Sequence, residues 1–125
     1  MIIFAYIFIV LSIGIAIFQL LLAFGAPYGE YTLGGKYPGK LPRNLRIAAI
    51  FQILILLGFT LMVVSKSGIA FDALYYVARV GIWVVFAFFI MGTILNLSSP
   101  SKKEKMVMGP LNIIAMICTF LIAIS

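Results

Sequence analysis

Residues 2–24 read IIFAYIFIVLSIGIAIFQLLLAF, with no charged side chain. A helix rises 1.5 Å per residue, so this stretch covers about 34 Å, enough for a hydrocarbon core of ~30 Å. Three further uncharged stretches follow, at 47–65, 80–101 and 106–125. Taken with their flanks they predict spans at Ile2–Phe24, Leu45–Val64, Ala73–Leu97 and Met106–Ile124. Of the 125 residues only 9 are basic and 3 acidic, and 65% are hydrophobic with a mean hydropathy of +1.25. An ordinary soluble domain is about 45–50% apolar, and a chain this short cannot bury the excess. Each segment is continuously apolar, where a barrel strand would alternate inward and outward residues. The expectation is a single all-α domain, a four-transmembrane-helix bundle. The first span lacks a basic leader and exceeds the 7–15 apolar residues of a signal peptide, so it reads as a retained helix.

Local signals mark the helix ends. Gly25-Ala26-Pro27 ends the first helix, and Pro42 precedes the second. Lys66-Ser67-Gly68 breaks the chain after the second, and Asp72 reads as an N-cap for the third. Ser101 and Glu104 have capping-box spacing at the start of the fourth. Pro110 predicts a kink there that frees the carbonyl of Met106.

The basic residues set a direction. Loop one carries Lys36, Lys40, Arg43 and Arg46, and loop three carries Lys102, Lys103 and Lys105; loop two has only Lys66 and Arg79. The positive-inside rule therefore predicts loops one and three in the cytoplasm and both termini outside. The net charge of +6 is mostly this topology signal. Nucleic-acid binding is not expected from so few basic residues split between two short loops.

Each span holds one amide: Gln19, Gln52, Asn96 and Asn112. In the predicted topology all four lie within about 10 Å of the cytoplasmic boundary, at 1.5 Å per residue. Two readings are open. The amides could hydrogen-bond across the helices as interhelical glue. Alternatively they floor a shallow polar pocket open to the cytoplasm, with the Met106 carbonyl beside Asn112. Loop one, residues 25–46, would cover that pocket. It has five Gly, three Pro and three Tyr, and a connection this long is often functional or disordered. Its tyrosines favour the membrane interface. The expected loop lies on the headgroups, turns at Gly34-Gly35, and is held by Tyr28, Tyr31 and Tyr37. Glu30, its only acid, is expected to pair with Arg43 or Arg46. The basic residues could also attract anionic lipid.

Arg79, beside Tyr75 and Tyr76, is an outer-face candidate: either it snorkels to the headgroups or it turns inward to hold an anion. Ser12-x-x-x-Ala16 has the small-residue spacing that permits close helix contact, within the bundle or in a dimer. Cys118 reads as a small packing residue. With one cysteine and no His, neither a disulfide within the chain nor a metal site is expected. The three carboxylates, Glu30, Asp72 and Glu104, form no evident acid–base pair, so no enzyme and no cofactor are expected.

Gly25-Ala26-Pro27-Tyr28-Gly29, Gly34-Gly35, Leu41-Pro42-x-x-Leu45-Arg46, and Asn96 to Ser101 with the following lysines and Gly109-Pro110 give the whole chain a likeness. It resembles a group of small, uncharacterised four-helix bacterial inner-membrane proteins. That resemblance implies a bacterial inner-membrane location and no activity. Two functions follow as expectations. One is a non-catalytic membrane protein binding a partner protein or lipid at its cytoplasmic face through Gln19, Tyr28, Glu30, Arg43, Arg46, Gln52, Asn96 and Asn112. The other is a small transporter or channel working as a homo-oligomer.

Overall fold

The computed structural model describes residues 2–125. Each apolar stretch forms one helix: α1 Ile2–Ala23, α2 Arg43–Lys66, α3 Tyr75–Leu97 and α4 Lys102–Ile124. All four are long and apolar enough to cross a membrane, and the described residues contain no strand. Successive helices pack side by side, and α4 closes the ring against α1. The chain is an all-α four-helix bundle of the multi-pass membrane type. The end of α1 and the starts of α2 and α4 lie at one end with loop one; the α2–α3 connection lies at the other.

The helices outrun the predicted spans where charge begins. α2 starts at Arg43 and ends at Lys66, two residues beyond the expected span on each side, and α4 starts at Lys102, four residues early. Hydropathy measures the apolar thickness, whereas backbone hydrogen bonding continues into the polar boundary. Asp72 does not cap α3. It opens a short 3-10 turn, Asp72–Leu74, whose side chains make no capping bond; the chain enters this turn from Phe71, at φ 58° and ψ 48°. The helix α4 runs unbroken through Pro110.

The end of the bundle away from loop one is solid. Phe8, Val63, Ile82, Val85 and Ile122 are fully or almost fully buried there. The Phe8 and Phe89 rings meet edge to face at 5.6 Å, joining α1 to α3 across the bundle. Cys118 packs in the same core. Ser12 is buried, so its small-residue spacing serves the bundle interior. Lipid tails are as apolar as these side chains, so close packing, more than water exclusion, holds such helices together. Glycines provide it: a Cβ on Gly81 would lie 2.7 Å from the Met62 sulfur, and one on Gly109 would lie 2.9 Å from Leu97.

Lys66, read as a chain breaker, is the last residue of α2 and is buried. Its ammonium donates to the carbonyls of Ile122 (3.1 Å) and Ser125 (3.0 Å) and sits 5.9 Å from the centre of the Tyr75 ring. A cation there faces the carbonyl end of α4, where the Ile122 carbonyl also accepts the Ser125 N–H and hydroxyl.

Candidate functional site: a roofed cavity lined by amides

At the loop-one end the four helices enclose a cavity of about 380 Å³. Gln19 of α1, Gln52 of α2, Asn96 of α3 and Asn112 of α4 all line it. Its deep wall is aromatic: Phe59, Phe88 and Phe89, with ring centres 4.9 Å apart for Phe59–Phe88 and 6.1 Å for Phe59–Phe89. Tyr31 and Thr32 of loop one line its loop-one side. No charged side chain lines it.

The amides do not bond to one another. Asn112 donates one N–H to the carbonyl of Met108 at 2.9 Å, one turn back in its own helix. Register sets this partner: the side chain at position i reaches the carbonyl at i−4 of its own helix, and that is Met108. The side chains of Gln19, Gln52 and Asn96 make no hydrogen bond with any described residue. Nor is any of them a fully buried, unsatisfied group; among the described residues only the Ser67 hydroxyl has that status. Their polar atoms therefore face the cavity or the surface, as unengaged donors and acceptors. Interhelical glue does not describe them. The close approach of α3 to α4 shapes this wall: a Cβ on Gly92 would lie 2.8 Å from the Asn112 carboxamide oxygen.

Loop one is an ordered roof. It contains two 3-10 turns, Gly29–Tyr31 and Leu33–Gly35. The chain turns at Gly34 and Gly35, both with positive φ (68° and 75°), a conformation that costs glycine little. The Gly29 N–H donates to the Gly39 carbonyl at 2.8 Å. A Cβ on Gly29 would fall 1.9 Å from the Tyr37 carbonyl oxygen, so this crossing of the loop admits only glycine. Leu41 is buried with Leu22 and Ala49 in a second small core, seating the end of the loop between α1 and α2. Of the three loop tyrosines, Tyr31 turns inward, edge to face on Phe18 and Tyr28. Tyr28 and Tyr37 stay exposed.

Three contacts latch the roof to the start of α4. The Ser101 hydroxyl donates to the Glu30 carbonyl. The Glu30 carboxylate pairs with Lys103, whose ammonium also sits 5.5 Å from the centre of the Tyr31 ring. Glu104, only 5% exposed, accepts the Gly34 N–H at 3.2 Å. Two expectations change here. Glu30 does not pair with Arg43 or Arg46, because the loop folds its acid over α4 and away from α2. The capping box is half-formed: the Ser101 oxygen accepts the Glu104 N–H at 3.3 Å, but the Glu104 carboxylate reaches across to loop one. The Ser101 N–H is taken instead by the Ser99 hydroxyl.

The other candidates lie apart from the cavity. Arg43 is exposed. Arg46 donates its Nε–H to the Ala23 carbonyl at 3.0 Å, tying α2 to the negative end of α1. Arg79 is exposed on α3 near the opposite end and has no salt bridge among the described residues. Among the described residues no three His, Cys, Asp or Glu side chains come together as a metal site would need. Sequence reasoning missed the inward faces of Tyr31 and Thr32, the latch role of Lys103 and Glu104, and the three-phenylalanine wall. The only advance signal was the density of Tyr and Gly in loop one. Comparison of the chain with protein-family models, curated proteins and solved structures finds no match.

Proposed function

We propose that this protein is a non-catalytic, multi-pass protein of a bacterial inner membrane that binds lipid at its loop-one end, with that end in the cytoplasm and both termini outside. The observation that carries the reading is the set of three amides without a hydrogen-bond partner among the described residues, Gln19, Gln52 and Asn96, which with Asn112 line one aromatic-walled cavity. Such a site offers hydrogen bonds to a polar group and apolar contact to its remainder, the usual make-up of a small-molecule site. It offers no carboxylate, thiol or base for acid–base or nucleophilic work, which supports a binding role. The split of basic residues, seven in loops one and three against two in loop two, supports the cytoplasmic assignment. Transport by a single copy gains no support, because Phe8, Val63, Ile82 and Ile122 fill the bundle beyond the phenylalanine wall.

Native mass spectrometry after mild detergent extraction tests the binding. The wild-type protein is expected to retain a lipid adduct, and the double variant Gln52→Leu with Asn112→Leu to lose it while keeping its helical content. No adduct on the wild type, or an equal adduct on both, refutes the reading. Labelling of Lys36→Cys in intact cells by a charged maleimide tests orientation, and none is expected until the cells are opened.

A further inference from the structure

We infer that the cavity receives its ligand sideways from the bilayer, through the seam between α2 and α3, and that this ligand is an uncharged membrane amphiphile whose hydroxyl or carbonyl head lies among the amides while its tail stays in the lipid. This deepens the lipid-binding reading and rests on it.

Exposure points to the route, because of the lining residues only Gln52, Ile55 and Phe88 are exposed. The membrane-boundary side is closed by a roof stacked on Phe18 of α1 and latched to α4 through Glu30 and Glu104. The α1–α2 seam is filled at this level by Leu22, Leu41 and Ala49. The α3–α4 seam is shut where Asn112 lies on Gly92 and Leu97 on Gly109. Between α2 and α3 the close approaches are Met62 on Gly81 and Phe59 on Phe88 and Phe89. All of them lie at the level of the phenylalanine wall or farther from loop one. Nearer the roof, Gln52 and Ile55 of α2 line the cavity and yet face outward, Ile55 at 48% exposure. At the foot of the same gap Phe88, on the facing edge of α3, also lines the cavity and faces out, at 50%. A residue that both lines a cavity and faces out marks the mouth. This mouth opens at Gln52, nine residues into α2, about 13 Å along the helix, on the apolar outer surface of the bundle and beneath the roof.

The walls also decide the ligand class. A phosphate or carboxylate head would leave water for a cavity without a single cation, and burying an unpaired charge is far costlier than burying a hydroxyl that finds an amide. Four carboxamides supply both donors and acceptors. The volume, about 380 Å³, is near the lower end of ordinary ligand pockets. It suits a head or ring, and an attached chain must leave by the mouth.

The test uses the full-length protein in phosphatidylcholine vesicles and two photoactivatable probes with a diazirine at the same acyl position, a diacylglycerol and a phosphatidylglycerol. Crosslinked peptides are mapped by mass spectrometry for the wild type, for Ile55→Trp, which plugs the mouth on an outward-facing side chain, and for Thr32→Trp, which alters the roof. The expected result is several-fold more labelling of cavity residues by the diacylglycerol probe than by the phosphatidylglycerol probe, lost in Ile55→Trp and kept in Thr32→Trp. Gln52→Leu, which removes an amide without adding bulk, is expected to lower labelling as well. Labelling lost in Thr32→Trp but kept in Ile55→Trp overturns the sideways route while lipid binding stands. Equal labelling by the two probes overturns the uncharged class. Cavity residues labelled by neither probe, with a lipid still retained in native mass spectrometry, overturn this inference alone; with no lipid retained, the binding reading falls too.

Discussion

Replacing Glu104 with Ala should unlatch the roof without unfolding the bundle, and replacing it with Gln, whose amide oxygen still accepts but carries no charge, should loosen the roof less. Its carboxylate is buried and takes the Gly34 N–H at 3.2 Å, 70 residues away in sequence. A hydrogen bond to a charged group contributes about 1.5–3 kcal/mol. Glu104 also sits in the first turn of α4, where a negative charge gains a further ~0.3–1 kcal/mol from the helix dipole. Only the first contribution belongs to the roof. At about 1.4 kcal/mol per factor of ten, its loss should speed exchange at the Gly34 amide by roughly ten- to a hundredfold or somewhat more. Hydrogen–deuterium exchange with peptide-level readout over residues 28–37 measures this directly. Peptides within α1 and α3 should be unchanged, because the packed half of the bundle does not touch the latch. If residues 28–37 exchange at the wild-type rate in both variants, the carboxylate does not hold loop one and the roof must be kept by other contacts. If the α1 and α3 peptides loosen equally, Glu104 is a global stability element and its assignment as a latch is wrong.

Three other outcomes are expected. Gly29→Ala puts a Cβ 1.9 Å from the Tyr37 carbonyl oxygen and 2.6 Å from that of Gly39; loop one should lose its crossing and become protease-sensitive, whereas Gly39→Ala, with open space around it, should cost only the ~1 kcal/mol of its positive φ. Lys66→Met removes two hydrogen bonds to the end of α4, each contributing about 1.5–3 kcal/mol less the ammonium's burial cost, and should lower the unfolding midpoint in detergent; an unchanged midpoint would mean that the burial cost offsets the bonds. Gly92→Ala brings a methyl to 2.8 Å from the Asn112 oxygen, a mobile side-chain end; the fold should survive while lipid retention falls, as judged by circular dichroism beside native mass spectrometry.

Much of the fold was legible because it depends on local chemistry. Length and apolarity of each stretch determine a membrane-crossing helix, since backbone groups in hydrocarbon must bond within their own segment. The Gly34-Gly35 turn and the Ser101 cap were equally readable, for each rests on what one or two residues can do to their own backbone. That one amide per helix lies toward a single end also followed from counting along the chain. Partner choice did not. Glu30 had Arg43 and Arg46 close in sequence, yet it pairs with Lys103, 73 positions away, because the path of the loop carries it over α4. Glu104 looked committed to its own helix end, but a backbone N–H from loop one lies within its reach. Lys66 counted in the sequence only as a basic residue of loop two, and it is α4 that brings the Ile122 and Ser125 carbonyls to it. The amides could have bonded to one another. Helix rotation and the close contact at Gly92 and Asn112 decide that three of them remain unpaired around a common space. The sequence alone determined four spans, their charge asymmetry and the end at which polarity gathers. Only the tertiary structure decided that the polar groups surround a cavity and that loop one folds over α4 to line it, the arrangement from which entry between α2 and α3 is inferred. These depend on which faces of rigid helices meet, and hydropathy and charge counts do not carry that information.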